Sequence, residues 1–328
     1  MRSSRDDSGR DEIPTVRSTK SKPGGSRRAG GMIFRILLLI LVMAAGVGLM
    51  AYPFLANWIF VNRADSLVSS YDAQVENTEE EKLQEARELA EYYNEAIATG
   101  HVELRDPFTE ESQVYSESTY YELLDVTGTG LMGYISIPCI DVTLPVYHGT
   151  DSSTLEKGVG HLPGSSLPVG GASTHCVLTG HTGLSSAKLF TDLTELEEGD
   201  IFILTVLGEK LAYEVDQILV VEPNDISSLQ IESGADYCTL ITCTPYGINS
   251  HRLLVRGVRT EYEEEYEEAG AFTVRTGESQ WMNEYMKALG ISIALLIVAL
   301  LLLFAVRMLQ RKLRRRRRQD RHRPGRME

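Results

Sequence analysis

The sequence predicts a mainly β domain held between two membrane-spanning helices. Two uncharged apolar runs, Ile36 to Ala56 and Ala288 to Val306, are each long enough to cross a lipid bilayer as a helix. From about Leu131 onward, apolar and polar residues alternate, and short predicted strands are separated by turn residues. Many short strands with few helices are typical of a compact β-barrel or sandwich.

The net charge of the chain changes sign at the two apolar runs. Residues 1–56 carry 9 basic and 4 acidic residues and residues 287–328 carry 12 and 2, whereas the middle carries 11 and 40. Basic residues flank the outer side of each apolar run, so the positive-inside rule places both termini in the cytoplasm and the acidic middle outside the cell. We therefore expect a two-pass cell-membrane protein.

The ends of the two spans allow two further predictions. Arg314–Arg318 borders a span, so we expect it to contact anionic lipid headgroups rather than nucleic acid. The first run could be a signal peptide, but it is longer than a typical signal-peptide core. No small-x-small cleavage pattern precedes Trp58 either, which favours an uncleaved anchor.

A helix is predicted from Thr78 to Gly100. Thr78 and Glu81 have the spacing of a capping box, and Gly100 suits the end of the helix. One apolar face recurs at three- and four-residue intervals. Its members are Leu83, Ala86, Ala90, Tyr93 and Ile97.

Period-two alternation follows the helix. Pro145 in one of these runs indicates an edge strand or a bulge, and Gly208 marks a hairpin turn. The predicted strand segments include Ile135–Ile137, Val142–Val146, Ile201–Val206, Leu211–Val215, Cys238–Thr242 and Leu253–Val255. The glutamate-rich stretch Glu261–Glu268 cannot be core and is predicted to be a solvated stalk.

Cys243 and Arg252 form a candidate catalytic pair. An apolar run ends at Cys243, residues 244–251 have loop composition, and a second apolar run begins after Arg252. Two antiparallel strands joined this way would place both side chains at one end of the domain. A nearby guanidinium favours the nucleophilic thiolate and can stabilise an oxyanion. The alternative is a small core cysteine and a surface arginine, and spacing does not separate the two.

A thiol that attacks an amide also needs a proton donor for the departing amine. His181 is well placed, because it lies in a sharp turn, residues 179–183, directly after the strand Cys176–Leu178. Residue chemistry leaves four rivals open: His148, His161, His175 and His251. His101 and His322 lie outside the predicted barrel.

Longer motifs add a family resemblance. Thr239–Cys243 matches the TLxTC signature of sortases, and the stretch onward to Gly257 resembles the class C, pilus-type members. Gly158–Ser166 and Leu178–Leu184 are similar to the same class. The resemblance covers roughly residues 57–260 and the two-anchor layout. It implies an eight-stranded sortase-type β-barrel with Cys243 as nucleophile, His181 as the acid and Arg252 as the oxyanion-stabilising group, while His251 is assigned a structural role.

A lid is a further implication of the resemblance. Asp106, Pro107 and Phe108 resemble the Asp-Pro-aromatic lid of class C sortases, in which case Asp106 would pair with Arg252 while Phe108 covered the thiol. The alternative is an ordinary turn in which Pro107 ends the preceding structure.

The remaining cysteines match no catalytic position. Cys139, Cys176 and Cys238 are predicted to be small apolar packing residues. Cys238 and Cys243 are five positions apart, so on a regular strand they face opposite sides.

The resemblance implies a transpeptidase that cleaves LPxTG-type sorting signals between Thr and Gly. The acceptor would be a lysine amine of a pilin subunit, the partners would be LPxTG-bearing pilin or surface proteins, and neither metal nor organic cofactor is expected. Two alternatives remain: a sortase that attaches proteins to cell-wall precursor, and a non-catalytic membrane scaffold or adhesin.

The predicted segments follow in chain order. They are a cytoplasmic tail (1–35), a transmembrane helix (36–56), an extracellular helical and lid segment (57–126), the catalytic barrel (127–260), an acidic stalk (261–286), a second transmembrane helix (287–306) and a basic cytoplasmic tail (307–328).

Overall fold

The structure is a computed structural model. It describes residues 26–100, 104, 107–108, 119–184, 186–264, 266 and 279–321. The chain divides into two compact units, residues 1–50 and residues 51–328.

Helices flank a set of strands in the described residues. The helices are α1 (Ser26–Glu76), α2 (Glu80–Thr99), α3 (Ser152–Leu155) and α4 (Gln280–Arg321). The strands are β1 (Leu131–Ile137), β2 (Val142–His148), β3 (Val159–His161), β4 (Thr174–Thr179), β5 (Ile201–Val206), β6 (Glu209–Val221), β7 (Asp236–Thr244) and β8 (His251–Thr260).

The strands close into a barrel in the order β1-β2-β3-β4-β7-β8-β6-β5, and β5 pairs with β1 to complete it. The predicted eight-stranded barrel is therefore confirmed. Two of the pairings, β2 with β3 and β4 with β7, are parallel, and the other six are antiparallel. The predicted hairpin of β5 and β6 is also confirmed, with Leu207 and Gly208 between its strands.

Two apolar clusters lie on opposite faces of the strands β4, β7 and β8. The larger cluster fills the barrel and includes Cys238 and Leu240. The smaller contains Ile241 of β7 together with Leu104, Leu162, Val177, Leu229 and Leu254. Because side chains alternate along a strand, Cys243 shares the face of Ile241 and points away from the barrel interior. We call the smaller set the outer apolar cluster.

The helix α2 packs on the barrel through its predicted face. Ala90 is fully buried, and Leu83, Ala86 and Tyr93 pack against the interior cluster. Buried Asn94 donates to Leu167 O at 3.1 Å and accepts from Leu167 N at 2.6 Å.

The predicted capping box is wrong. The N-cap of α2 is Glu79, and it makes no side-chain capping bond. The Thr78 hydroxyl instead donates to Gln74 O at 2.7 Å, in the last turn of α1. Only three residues, 77–79, separate α1 from α2, so the nearby carbonyl of α1 competes successfully for this hydroxyl.

Two helices contain segments long and apolar enough to cross a membrane, Ile40–Glu76 and Gln280–Leu313. Their apolar side chains are exposed, for example Leu49 at 77% and Leu295 at 66%. An exposed apolar helix surface of this kind matches a lipid environment rather than a protein core.

The helix α4 begins earlier than the sequence suggested. It starts at Gln280, inside the predicted stalk of residues 261–286. Trp281 is buried and meets the Phe54 ring edge-to-face at 5.4 Å. Residues 265 and 267–278 of that stalk, and residues 1–25 and 322–328 of the two predicted tails, lie outside the described residues.

Candidate active site

Cys243 and Arg252 are directly opposite each other on β7 and β8. Their Cα atoms are register partners in the antiparallel ladder, and each residue is only 8% exposed. The connecting loop, residues 245–250, returns the chain through Asn249, whose φ of 58° is left-handed. Arg252 Nη1 donates to Asn249 O at 3.2 Å and to His251 O at 3.1 Å, so the loop holds the guanidinium beside the thiol strand.

His181 reaches the same end of the barrel through the parallel pairing of β4 with β7. Thr179 and Ile241 are the last register partners, and His181 and Cys243 each lie two residues beyond them. Gly180 N donates to Ile241 O at 3.0 Å, and the Thr242 hydroxyl donates to Gly180 O at 2.8 Å. The three predicted catalytic residues therefore lie at one end of three adjacent strands, β4, β7 and β8.

Phe108 lies over two of these residues. Its ring centroid is 5.8 Å from the His181 ring and 4.9 Å from the Arg252 guanidinium carbon. It also packs against the outer apolar cluster, and Pro107 is buried. Asp106 lies outside the described residues, so its pairing with Arg252 stays a prediction.

Burial lowers the pKa of His181 below its ordinary value, and the charge of Glu156 opposes the shift only partly. An imidazole with a lowered pKa is mostly neutral at neutral pH. It can then accept a proton from a thiol or an incoming amine and return it to a leaving amine.

The rival histidines are occupied in the fold. His148 Nε2 lies 2.6 Å from Leu123 O, His161 Nε2 lies 2.9 Å from Ser166 O, and His175 Nδ1 lies 3.0 Å from Gln230 O. All three rings are buried. His251 is partly exposed, with Nε2 3.4 Å from Glu222 Oε1.

Cys139, Cys176 and Cys238 all belong to the barrel-interior cluster, as predicted for packing residues. The whole set of four cysteines falls within the described part of the chain, and none forms a disulfide. Burial raises the pKa of Cys238 well above its ordinary value, which keeps that thiol protonated. Across the same described residues, no cluster of three or more His, Cys, Asp or Glu side chains could hold a metal ion.

Two positioning contacts were not anticipated from the sequence. Thr242 and Gly180 lie within the two sequence motifs, and the hydrogen bond between them ties β4 to β7 at the site. A Cβ on Gly180 would lie 2.6 Å from the Phe190 ring, so the backbone before His181 needs a glycine. The motifs contain both residues, but the sequence does not show that Thr242 and Gly180, 62 positions apart, contact each other.

Comparisons with known proteins address the same region. The family model described as Sortase domain matches residues 135–260. The crystal structure of Streptococcus pneumoniae sortase C is 46% identical, with a TM-score of 0.55, over 60% of this chain and 97% of that one. The chain belongs to the sortase family. A second solved structure, Actinomyces oris sortase C-1, is 49% identical over 55% of this sortase and 99% of its own chain, with a TM-score of 0.52.

Curated relatives match over shorter lengths. Bacillus subtilis sortase D is 32% identical over 130 residues, which are 39% of this sortase and 63% of the relative. Streptococcus agalactiae sortase A is 28% identical over 117 residues, which are 35% of this sortase and 47% of the relative. The matched region thus spans less than two thirds of either relative.

Proposed function

We propose that this sortase is a membrane-anchored, pilus-type cysteine transpeptidase. It cleaves LPxTG-type sorting signals between Thr and Gly and joins the product to a lysine amine of a pilin subunit. The observation that carries the proposal is the direct pairing of Cys243 with Arg252 beside the strand end that bears His181. The similar S. pneumoniae sortase C is described in terms of its pilin substrate specificity.

The first half-reaction forms a thioester. Cys243 Sγ attacks the carbonyl carbon of the substrate Thr as its thiol proton passes to His181, and the Arg252 guanidinium stabilises the oxyanion. The Thr–Gly C–N bond then breaks as His181 donates a proton to the departing Gly amine.

The second half-reaction passes the acyl group on. The neutral lysine amine attacks the thioester carbonyl, and His181 accepts a proton from that amine. The C–S bond then breaks, and His181 passes this proton to the leaving Cys243 sulfur, which restores the thiol. These three side chains account for every proton and bond in the scheme without a cofactor.

Membrane placement belongs to the proposal as well. The basic residues outside the two spans support a topology with both termini in the cytoplasm and the barrel outside the cell. The substrates would then be surface proteins, and lipids would contact both anchors.

The test uses the full chain in detergent, incubated with an LPxTG peptide and an amine acceptor, with intact mass spectrometry to detect the thioester. We expect Cys243→Ala to abolish both cleavage and the acyl adduct. Cys139→Ala is the matched control, because that cysteine is equally 8% exposed but lies in the barrel interior. Full cleavage by Cys243→Ala would refute the mechanism.

The acceptor separates the two sortase alternatives. Supplied with a pilin lysine peptide and a cell-wall stem-peptide amine in competition, the enzyme should join the sorting signal to the lysine. Preference for the wall amine would favour a sortase that attaches proteins to the wall. If neither the wild type nor the variant with Asp106 and Phe108 both replaced by Ala forms a thioester, the non-catalytic scaffold is favoured.

A further inference from the structure

The segment that carries His181 is held from its far side by α1 and α4. We define the histidine loop as residues 181–192. Its backbone at Lys188 donates to Asn57 Oδ1 of α1 at 2.8 Å. At Asp192, the carboxylate Oδ1 accepts from the backbone N–H of Trp281, in the first turn of α4, at 3.0 Å.

The two residues of the histidine loop that contact α1 and α4, Lys188 and Asp192, also form an ion pair with each other. Asp192 is 1% exposed, and its Oδ2 lies 2.9 Å from Lys188 Nζ. That ammonium also donates to Ile140 O at 2.7 Å, which ties the loop to the turn between β1 and β2. A carboxylate this buried is tolerated because the ammonium and the Trp281 N–H compensate its charge.

Short contacts continue from the anchored end to the catalytic end. Phe190 N donates to His181 O at 3.1 Å, and Gly183 N donates to Thr191 Oγ1 at 3.1 Å. The Phe190 ring packs so closely on Gly180 that no Cβ fits between them. Close-packed side chains do not deform smoothly, so a shift of residues 188–192 would displace the His181 backbone.

We infer that Asn57 of α1 and the start of α4 position His181 through Lys188 and Asp192. The helices that lead into the predicted membrane spans are then part of the catalytic apparatus as well as anchors. Asn57 and Asp192 are positioning residues, because they act through the histidine loop. This inference deepens the proposed function and rests on it.

The first arm of the test compares three full-chain variants in detergent with an LPxTG peptide and an amine. Asn57→Leu removes the acceptor for Lys188 N, whereas Asn57→Asp retains an oxygen there. Asn62→Leu is the matched control, since Asn62 is exposed on α1 and its side-chain amide donates to Trp58 O within the same helix. We expect Asn57→Leu to lower kcat roughly tenfold with KM within about twofold, because small misplacements of catalytic groups slow the chemical step. Asn57→Asp and Asn62→Leu should stay close to wild type.

The second arm measures the pKa of His181 in the absence of substrate, so it stays informative even if no peptide is cleaved. Histidine-labelled full chain is titrated by NMR, and the His181 signal is assigned with His181→Gln. Asp192→Ala should free the loop and move the His181 pKa toward its ordinary value, while Asp192→Asn, which keeps Oδ1, should shift it less. The control Asp200→Asn alters an exposed loop carboxylate that accepts from Glu197 N.

Two results would overturn the inference. One is an unchanged kcat and an unchanged His181 pKa in both Asn57→Leu and Asp192→Ala. The other is a loss of activity in Asn57→Leu that Asn57→Asp fails to rescue and that a lowered melting temperature accounts for. A wild type that does not cleave, combined with a shifted His181 pKa in Asp192→Ala, would refute the proposed function and leave the positioning contacts supported.

Discussion

Gly180 shows how a single missing side chain sets the geometry of the site. The residue links β4 to His181 and presses against the fully buried Phe190 ring. Its carbonyl accepts from the Thr242 hydroxyl, so its position is fixed from two sides. The backbone therefore delivers His181 beside Cys243 only as long as nothing separates Gly180 from Phe190.

We predict that Gly180→Ala lowers kcat by about ten- to a hundredfold, because the added Cβ must push either Phe190 or the His181 backbone out of place. The measurement is peptide cleavage by the full chain. A double variant, Gly180→Ala with Phe190→Leu, should recover part of the loss by making room for the methyl group. Wild-type kcat in the single variant would show that the contact has no role in positioning.

Among the elements, the segment that contains Phe108 makes direct contact with two of the candidate catalytic residues. Its ring contacts both His181 and Arg252 and shares the outer apolar cluster with Ile241 and Leu254. Since burial is the main cause of the lowered His181 pKa, removal of this ring should restore water to the imidazole.

We predict that Phe108→Ala raises the His181 pKa toward its ordinary value of about 6.5 and speeds alkylation of Cys243 by a small thiol reagent. NMR titration and intact mass spectrometry measure the two effects. Tyr92→Ala, which truncates an aromatic residue 74% exposed on α2, should change neither. If Phe108→Ala leaves the His181 pKa and the alkylation rate as they are, Phe108 does not cover the site.

The docking of α2 gives a stability prediction at the same scale. Asn94→Leu would remove both partners of the Leu167 backbone and leave two buried polar groups unpaired. We expect a loss of about 2–4 kcal/mol in the free energy of unfolding. Asn77→Leu serves as the control, because Asn77 is exposed and its side-chain amide donates to Ala73 O in the last turn of α1. Equal destabilisation by the two variants would contradict the assigned role of Asn94.

At the scale of the whole molecule, two buried histidines, His148 and His175, and the half-buried His181 make stability depend on pH. Burial is the largest cause of a lowered pKa at His148, His175 and His181. In the unfolded chain these groups take up protons at about pH 6.5, whereas the folded state takes them up only at lower pH. The unfolded state therefore binds more protons in this window, and stability falls as the pH falls.

We predict that the denaturation midpoint of the full chain drops between pH 7 and pH 5, above the range in which most carboxylates titrate. The largest slope is about 1.4 kcal/mol per pH unit for each histidine. Replacing His175 by Gln should make the dependence shallower even if it lowers overall stability. A midpoint that rose on acidification would show that the sign is wrong.

Much of the architecture was predictable because it depends on local periodicity. Alternation marked the strands, the three- and four-residue spacing marked the buried face of α2, and uninterrupted apolar runs marked both candidate spans. The predicted capping box was wrong because the Thr78 hydroxyl donates to the Gln74 carbonyl of α1 instead. The residue spacing alone does not show that this carbonyl is close enough to compete. The early start of α4 was missed because the reason for it, the packing of Trp281 on Phe54, joins residues far apart in sequence.

The sequence by itself determined the family to which this sortase belongs and the charge difference between its basic ends and its acidic middle, and it predicted the candidate catalytic residues. Residue types and motif spacing carry that information directly. Only the tertiary structure decided which residues meet: His181 with the Cys243 strand through a parallel β4–β7 pair, Phe108 over His181 and Arg252, and Asn57 and Trp281 on the histidine loop. Those pairings are set by barrel closure and non-local packing, which no single stretch of sequence encodes.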